Sequence, residues 1–135
     1  MTQGYLNERG KVVAKEMYGP NGDEHHEAAF RKYATRVDED WAHIICDYSM
    51  NGMYARTILS TAEREMCAIA ALVAMQELEA LDAHIRISME SHSVEVVREV
   101  IVQMGVLVGM PKALKALRLL ERILAEGRTA TSPLA

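Results

Sequence analysis

A chain of 135 residues, half of them hydrophobic, is long enough to bury one core and too apolar to be a disordered tail. Its formal charge of −4 provides no basic excess, which argues against nucleic acid or an anionic membrane surface as partner. The N-terminus MTQGYLNERGK has no apolar signal-peptide core, and no run reaches the roughly 18 apolar residues of a spanning helix, so a cytoplasmic location is expected.

Glu8 to Tyr18 reads as a helix with Val12, Val13 and Met17 on its apolar side, stopped by Gly19-Pro20-Asn21-Gly22. Asp23-Glu24-His25-His26-Glu27 then suits the acidic, solvated first turn of a short helix entering Ala28-Ala29-Phe30. Adjacent histidines point about 100° apart on a helix, unlike an i, i+4 ligand pair, so no metal is expected at His25 and His26. Val37 to Met50 repeats Trp41, Ile44, Ile45 and Tyr48 at spacings of three and four, which predicts a helix that buries the only tryptophan. Asn51-Gly52 breaks that pattern, and Met53 to Leu59 reads as an irregular link. Its Tyr54 and Arg56 either line a pocket or tie the loop down.

Ser60 and Glu63 form the capping-box pattern at the start of a central helix. From Met66 to Met75 ten residues in succession are apolar, so this helix is apolar on every side and is expected to be surrounded by protein. Gln76 to about Glu90 predicts the next helix, with Leu78, Leu81, Ile85 and Met89 on one side. His84 lies on it with Ala80 and Ser88 one turn either side. Ser91-His92-Ser93 is the turn that follows, and Ser93 caps Val94 to Val108, which Gly109 ends. Pro111 opens the last helix, where Leu114, Leu117, Leu120 and Leu124 run on to Gly127. Cys46 and Cys67 make neither a CxxC nor a metal-ligand spacing and are expected as reduced thiols in a core.

No alternating strand pattern of useful length occurs, so the class is all-α. One domain over residues 1–128 and a flexible tail over 129–135 are expected. With two helices nearly all apolar, apolar faces are expected to be shared between subunits of an oligomer.

The order of landmarks resembles the carboxymuconolactone decarboxylase family, which has an alkylhydroperoxidase-D-like helical bundle. The resemblance runs from about Glu8 to Leu124. It is carried by Arg9-Gly10-Lys11-Val12-Val13, Asn51-Gly52-Met53-Tyr54-Ala55-Arg56, Leu59 with Arg64, His84-Ile85-Arg86, Val97-Arg98-Glu99-Val100 and Val108-Gly109-Met110-Pro111. It implies a homotrimer or homohexamer and a cofactor-free, metal-free lyase that decarboxylates a small carboxylated unsaturated lactone or related oxo acid through a dienolate. The alternatives for this chain are a diverged member that performs another proton transfer, such as isomerisation or cyclisation, and a thiol peroxidase-like or non-catalytic oligomeric binding protein.

The family's thiol peroxidases use a CxxC motif before the histidine, and Glu77 and Ala80 occupy those two positions here. Glu65, nineteen residues before His84, matches that branch's proton-relay glutamate, whereas Arg64 matches the arginine of the decarboxylases. The resemblance thus assigns catalysis to His84, Glu65 and Arg64, and substrate binding to Arg56, Tyr54 and Arg86. Ile87, Ser88 and His92 depart from the family's usual small residues and turn glycine. Chemically the inventory suffices: a histidine to deliver a proton, arginines to hold a carboxylate, and a carboxylate to orient the imidazole.

Overall fold

The computed structural model describes residues 3–127, so the expected tail over 129–135 lies outside the described residues. Seven α-helices and no strand occur among them, as the all-α reading requires. They are α1 (Glu8–Tyr18), α2 (Gly22–Arg36), α3 (Glu39–Tyr48), α4 (Thr61–Met75), α5 (Leu78–Ser88), α6 (Val94–Val108) and α7 (Met110–Glu126), with a π-helical turn (Ser49–Met53) after α3. The chain divides into two compact units, one ending at Thr61 and the other beginning at Ala62.

In the first unit α1 packs on α2 and on the π-helical turn, and α2 packs on α3. Asn7 caps α1 by accepting from Gly10 N–H at 2.9 Å. Close approach requires glycine at residues 10 and 22: a Cβ on Gly10 would overlap Asn51 Oδ1, and one on Gly22 would overlap the Ala14 carbonyl. Asn51 explains why an Asn-Gly pair ends the α-helical repeat here. Its side chain accepts from Asn7 N–H at 3.0 Å and donates to the Tyr5 carbonyl and to Asp47 Oδ1, each at 2.8 Å. The extra residue of the π turn thus ties the N-terminal segment to α3.

Three expectations in this unit need correction. Helix α2 is not short; it begins at Gly22 and runs for 15 residues. Of the two histidines, only His25 is solvated; His26 is buried, stacked on Tyr18 at 5.2 Å between ring centroids and edge-on to Phe30 at 4.9 Å. Third, α3 buries Ala42 and Cys46, while Ile44 and Tyr48 stand 63% and 71% exposed and Trp41 is only half-buried. The small side chains let α3 approach its neighbours closely, and the bulky apolar stripe faces away.

Burial pushes the His26 pKa down to about 4 from its ordinary value of 6.5. Between those two values the unfolded chain binds the proton and the folded chain does not, so stability falls as pH falls through that window. The loss, on the order of 3 kcal/mol once pH is below both values, follows at 1.36 kcal/mol per pKa unit. Urea unfolding of the wild type and of His26→Leu at several pH values from 7 to 4 is expected to show a flatter pH dependence in the variant.

The second unit is a bundle in which α7 packs against α6 and α5. Its core joins Ile69 and Val73 of α4, Leu81 and Ile85 of α5, Val97, Ile101 and Met104 of α6, and Ala116, Leu119, Leu120 and Ile123 of α7. Ser93 caps α6 by accepting from Val96 N–H at 3.3 Å, and Gly109 with φ 97° separates α6 from α7, as expected. Helix α5 is shorter at both ends than the sequence pattern predicts. Its start is delayed because Gln76 adopts a left-handed φ of 58°, which ends α4, and its amide nitrogen donates to the Val73 carbonyl at 2.7 Å. Lys112 adds an ammonium to the Ala74 carbonyl at 3.1 Å, where the negative end of the α4 dipole favours a cation.

Among the described residues the apolar run of α4 has one fully buried stripe. Glu65, Ile69 and Val73 are buried, whereas Cys67 and Met75 are exposed. Cys67 is therefore not the core thiol expected of it. On α7 the buried stripe is Ala113, Ala116, Leu119, Leu120 and Ile123, so of the expected leucines only Leu120 is fully interior and Leu114 is exposed. No helix of the described residues is long and apolar enough to cross a membrane.

Candidate active site

The buried stripe of α4 advances four residues at a time, and its first member is a carboxylate. Glu65 lies one turn before Ile69 and is 1% exposed. A buried carboxylate needs a strong partner, since charge taken out of water is costly without one. Glu65 Oε2 finds it in His84 Nδ1 on α5 at 2.7 Å. A carboxylate only accepts, so the contact assigns the Nδ1 hydrogen to this bond and leaves Nε2 as the exchangeable nitrogen. The His84 side chain keeps 19% of its surface, so the carboxylate is enclosed and the imidazole is reachable.

Arg64, next to Glu65 on α4 and about 100° around it, is half-buried. In the turn after α5, the His92 ring nitrogen Nε2 donates to the Ala62 carbonyl at 3.0 Å, a second contact to the first turn of α4. Arg86, expected to bind substrate, is committed elsewhere. Its guanidinium bonds Asp82 Oδ1 at 2.8 Å, Glu126 Oε2 at 2.8 Å and the Gly127 carbonyl at 3.2 Å, and these anions raise its pKa. That arginine fastens α5 to the end of α7.

Tyr54 and Arg56 belong to the first unit, where they line a cavity of about 370 Å³ together with Arg9, Val12, Val13 and Glu16 of α1 and the link running to Thr61. Arg9 donates to the Ala55 carbonyl at 2.7 Å and Thr61 donates to Glu16 Oε2 at 2.6 Å, so two polar contacts fasten the link to α1. Tyr54 and Arg56 thus both border this cavity. Sequence reasoning did not assign Arg9 or Glu16 to it, because they lie some 40 residues away in the chain and no periodicity connects them.

The two thiols differ sharply. Cys46 is buried, its Sγ lies 3.3 Å from the Tyr5 carbonyl, and burial pushes its pKa up to about 12, so it stays protonated. Cys67 is exposed on α4. Among the described residues no three His, Cys, Asp or Glu side chains are grouped to hold a metal ion.

Residues 39–122, from the start of α3 to near the end of α7, match the family model of the carboxymuconolactone decarboxylase family. No curated protein matches the chain.

Proposed function

Because the chain belongs to the carboxymuconolactone decarboxylase family, we propose that it is a cofactor-free carboxy-lyase acting on a small carboxylated unsaturated lactone or related oxo acid. The observation that supports this best is the 2.7 Å contact between His84 Nδ1 and the enclosed Glu65 carboxylate. It supplies an oriented proton carrier of the kind that decarboxylation needs.

The chemistry follows from charge development. When the C–CO2 bond breaks, its electron pair delocalises into the lactone carbonyl as a dienolate, and CO2 leaves. Arg64 is assigned to the substrate carboxylate and the developing enolate oxygen, where a guanidinium binds two oxygens at once. The protonated His84 ring then delivers the Nε2 proton to the carbanion carbon. The neutral ring keeps Nδ1–H on Glu65 and recovers its Nε2 proton from solvent. Glu65 orients the ring and touches no substrate. Tyr54 and Arg56 stay proposed as substrate-binding residues, and Arg86 is given a fastening role in place of the substrate contact. Assembly as a homotrimer or homohexamer, with the exposed side of α4 covered by another copy, belongs to the same reading.

Thiol peroxidase chemistry is disfavoured because Cys46 is held as a buried thiol and Cys67 has no partner at CxxC spacing. The test is turnover of a carboxylated unsaturated lactone with CO2 measured directly, in wild type and in Cys67→Ser. Both are expected to release CO2 at rates within about twofold, the size of a surface substitution. Peroxide turnover driven by a thiol reductant and abolished by Cys67→Ser would move the protein to the peroxidase branch.

A further inference from the structure

Two buried oxygens on the α4–α5 seam make no hydrogen bond to any described residue: Glu65 Oε1 and Ser88 Oγ. Ser88 is completely enclosed. It lies one turn beyond His84 on the same face of α5, so its side chain neighbours the imidazole that Glu65 holds. The seam is closed on either side of it, by His84 with Glu65 and by His92 with the carbonyl of Ala62, which is one turn before Glu65 on α4. Ser88 thus lies in the chain between His84 and His92, the two residues that bridge to the first turn of α4.

A helical serine ordinarily discharges its hydroxyl on the carbonyl four residues back. Ser49 does this, donating to the Ile45 carbonyl at 2.6 Å, and Thr35 donates to the Arg31 carbonyl at 3.1 Å. Ser88 does not donate to His84 in this way, and a buried hydroxyl left idle is costly. A carboxylate oxygen is an acceptor with no proton of its own, and a seryl hydroxyl is a donor, so the two groups are complementary.

We propose that Ser88 is a positioning residue whose hydroxyl donates to Glu65 Oε1 through one bridging water and completes a Ser88–water–Glu65–His84 chain. This rests on the reading of Glu65 as the group that orients His84. With both carboxylate oxygens held, Glu65 cannot rotate about its terminal bond, and the direction of the imidazole is fixed at two points rather than one. Ser88 acts only through Glu65 and touches no substrate.

The test needs no substrate, so its failure is distinguishable from failure of the decarboxylase reading. Exchange of the His84 Nδ1 proton with solvent is measured by NMR in wild type, Ser88→Ala, Glu65→Gln and the double variant. Ser88→Ala is expected to speed that exchange roughly tenfold, the size associated with losing one hydrogen bond to a charged group. The same substitution in the Glu65→Gln background is expected to change it little. Unchanged exchange in Ser88→Ala, or an equal change in both backgrounds, would overturn the proposal. If Ser88→Ala alone fails to fold while the double variant folds, the coupling to Glu65 is supported. Failure in both backgrounds assigns Ser88 a packing role and contradicts it.

Discussion

Replacing His84 by glutamine is expected to lower kcat by about 10²- to 10⁴-fold, the usual contribution of a positioned acid–base group, with KM little changed. Glutamine is uncharged and does not titrate near neutrality, so it cannot carry the proton. It is close to histidine in volume and keeps hydrogen-bonding capacity toward Glu65 Oε2, the contact that histidine makes at 2.7 Å. The helix is not at risk, because glutamine is a good helix former and the core of the second unit is built from Ile69, Val73, Leu81, Ile85 and their neighbours, not from His84. Circular dichroism and thermal unfolding are expected to resemble wild type while steady-state turnover collapses. A variant with unchanged kcat would remove His84 from the reaction.

The second large effect is expected at Glu65, and there the choice of substitution separates orientation from packing. Glu65→Gln conserves shape and leaves an amide oxygen able to accept the Nδ1 hydrogen, but the bond is no longer to a charge. A hydrogen bond to a charged group is worth about 1.5–3 kcal/mol, and about 1.4 kcal/mol is tenfold in rate, so kcat is expected to fall roughly 10- to 100-fold. KM is expected to hold, since the carboxylate is enclosed and makes its contact through the imidazole. Glu65→Ala adds a cavity beside Ile69 and is expected to lose stability as well as rate. Steady-state kinetics on both variants, with urea unfolding alongside, checks this. A KM increase in Glu65→Gln at unchanged kcat would mean that the carboxylate meets the substrate and not the ring.

The helices themselves were legible because local rules write them: a cap at Ser93, and glycines at positive φ after α1, α6 and α7. Which face of each helix turns inward was far less legible. Periodicity reports that Trp41, Ile44, Ile45 and Tyr48 share a side, but not what covers that side. In α3 the interior went to Ala42 and Cys46, and in α7 Ala113 and Ala116 share it with Leu119, Leu120 and Ile123, because small side chains admit a neighbouring helix closely. Cys67 was misjudged for the same reason: an all-apolar run has no preferred side until its neighbours are placed. His26 was misjudged because the polar residues around it suggested solvent, whereas its aromatic partners Tyr18 and Phe30 decide its burial.

The candidate site was legible only where a resemblance supplied the pairing. Nineteen residues separate Glu65 from His84, and nothing in periodicity connects them, yet their side chains meet at 2.7 Å. Arg86 shows the opposite case. A local reading cannot foresee that Glu126, forty residues on, claims its guanidinium. Arg9 and Glu16 in the cavity with Tyr54 and Arg56 were invisible in chain order for the same physical reason.

The most direct measurement is the reaction of a carboxylated unsaturated lactone in D2O, with CO2 release and deuterium in the product followed separately. For wild type the expected result is one CO2 released per substrate consumed and one solvent-derived deuteron on the former carboxylated carbon or its vinylogous position. His84→Gln is expected to lose most of that flux, with reprotonation slowed at least as much as CO2 release. Equal deuteration at undiminished rate in His84→Gln, or consumption of the lactone by wild type with no CO2 released, would contradict decarboxylation with His84 as the proton carrier.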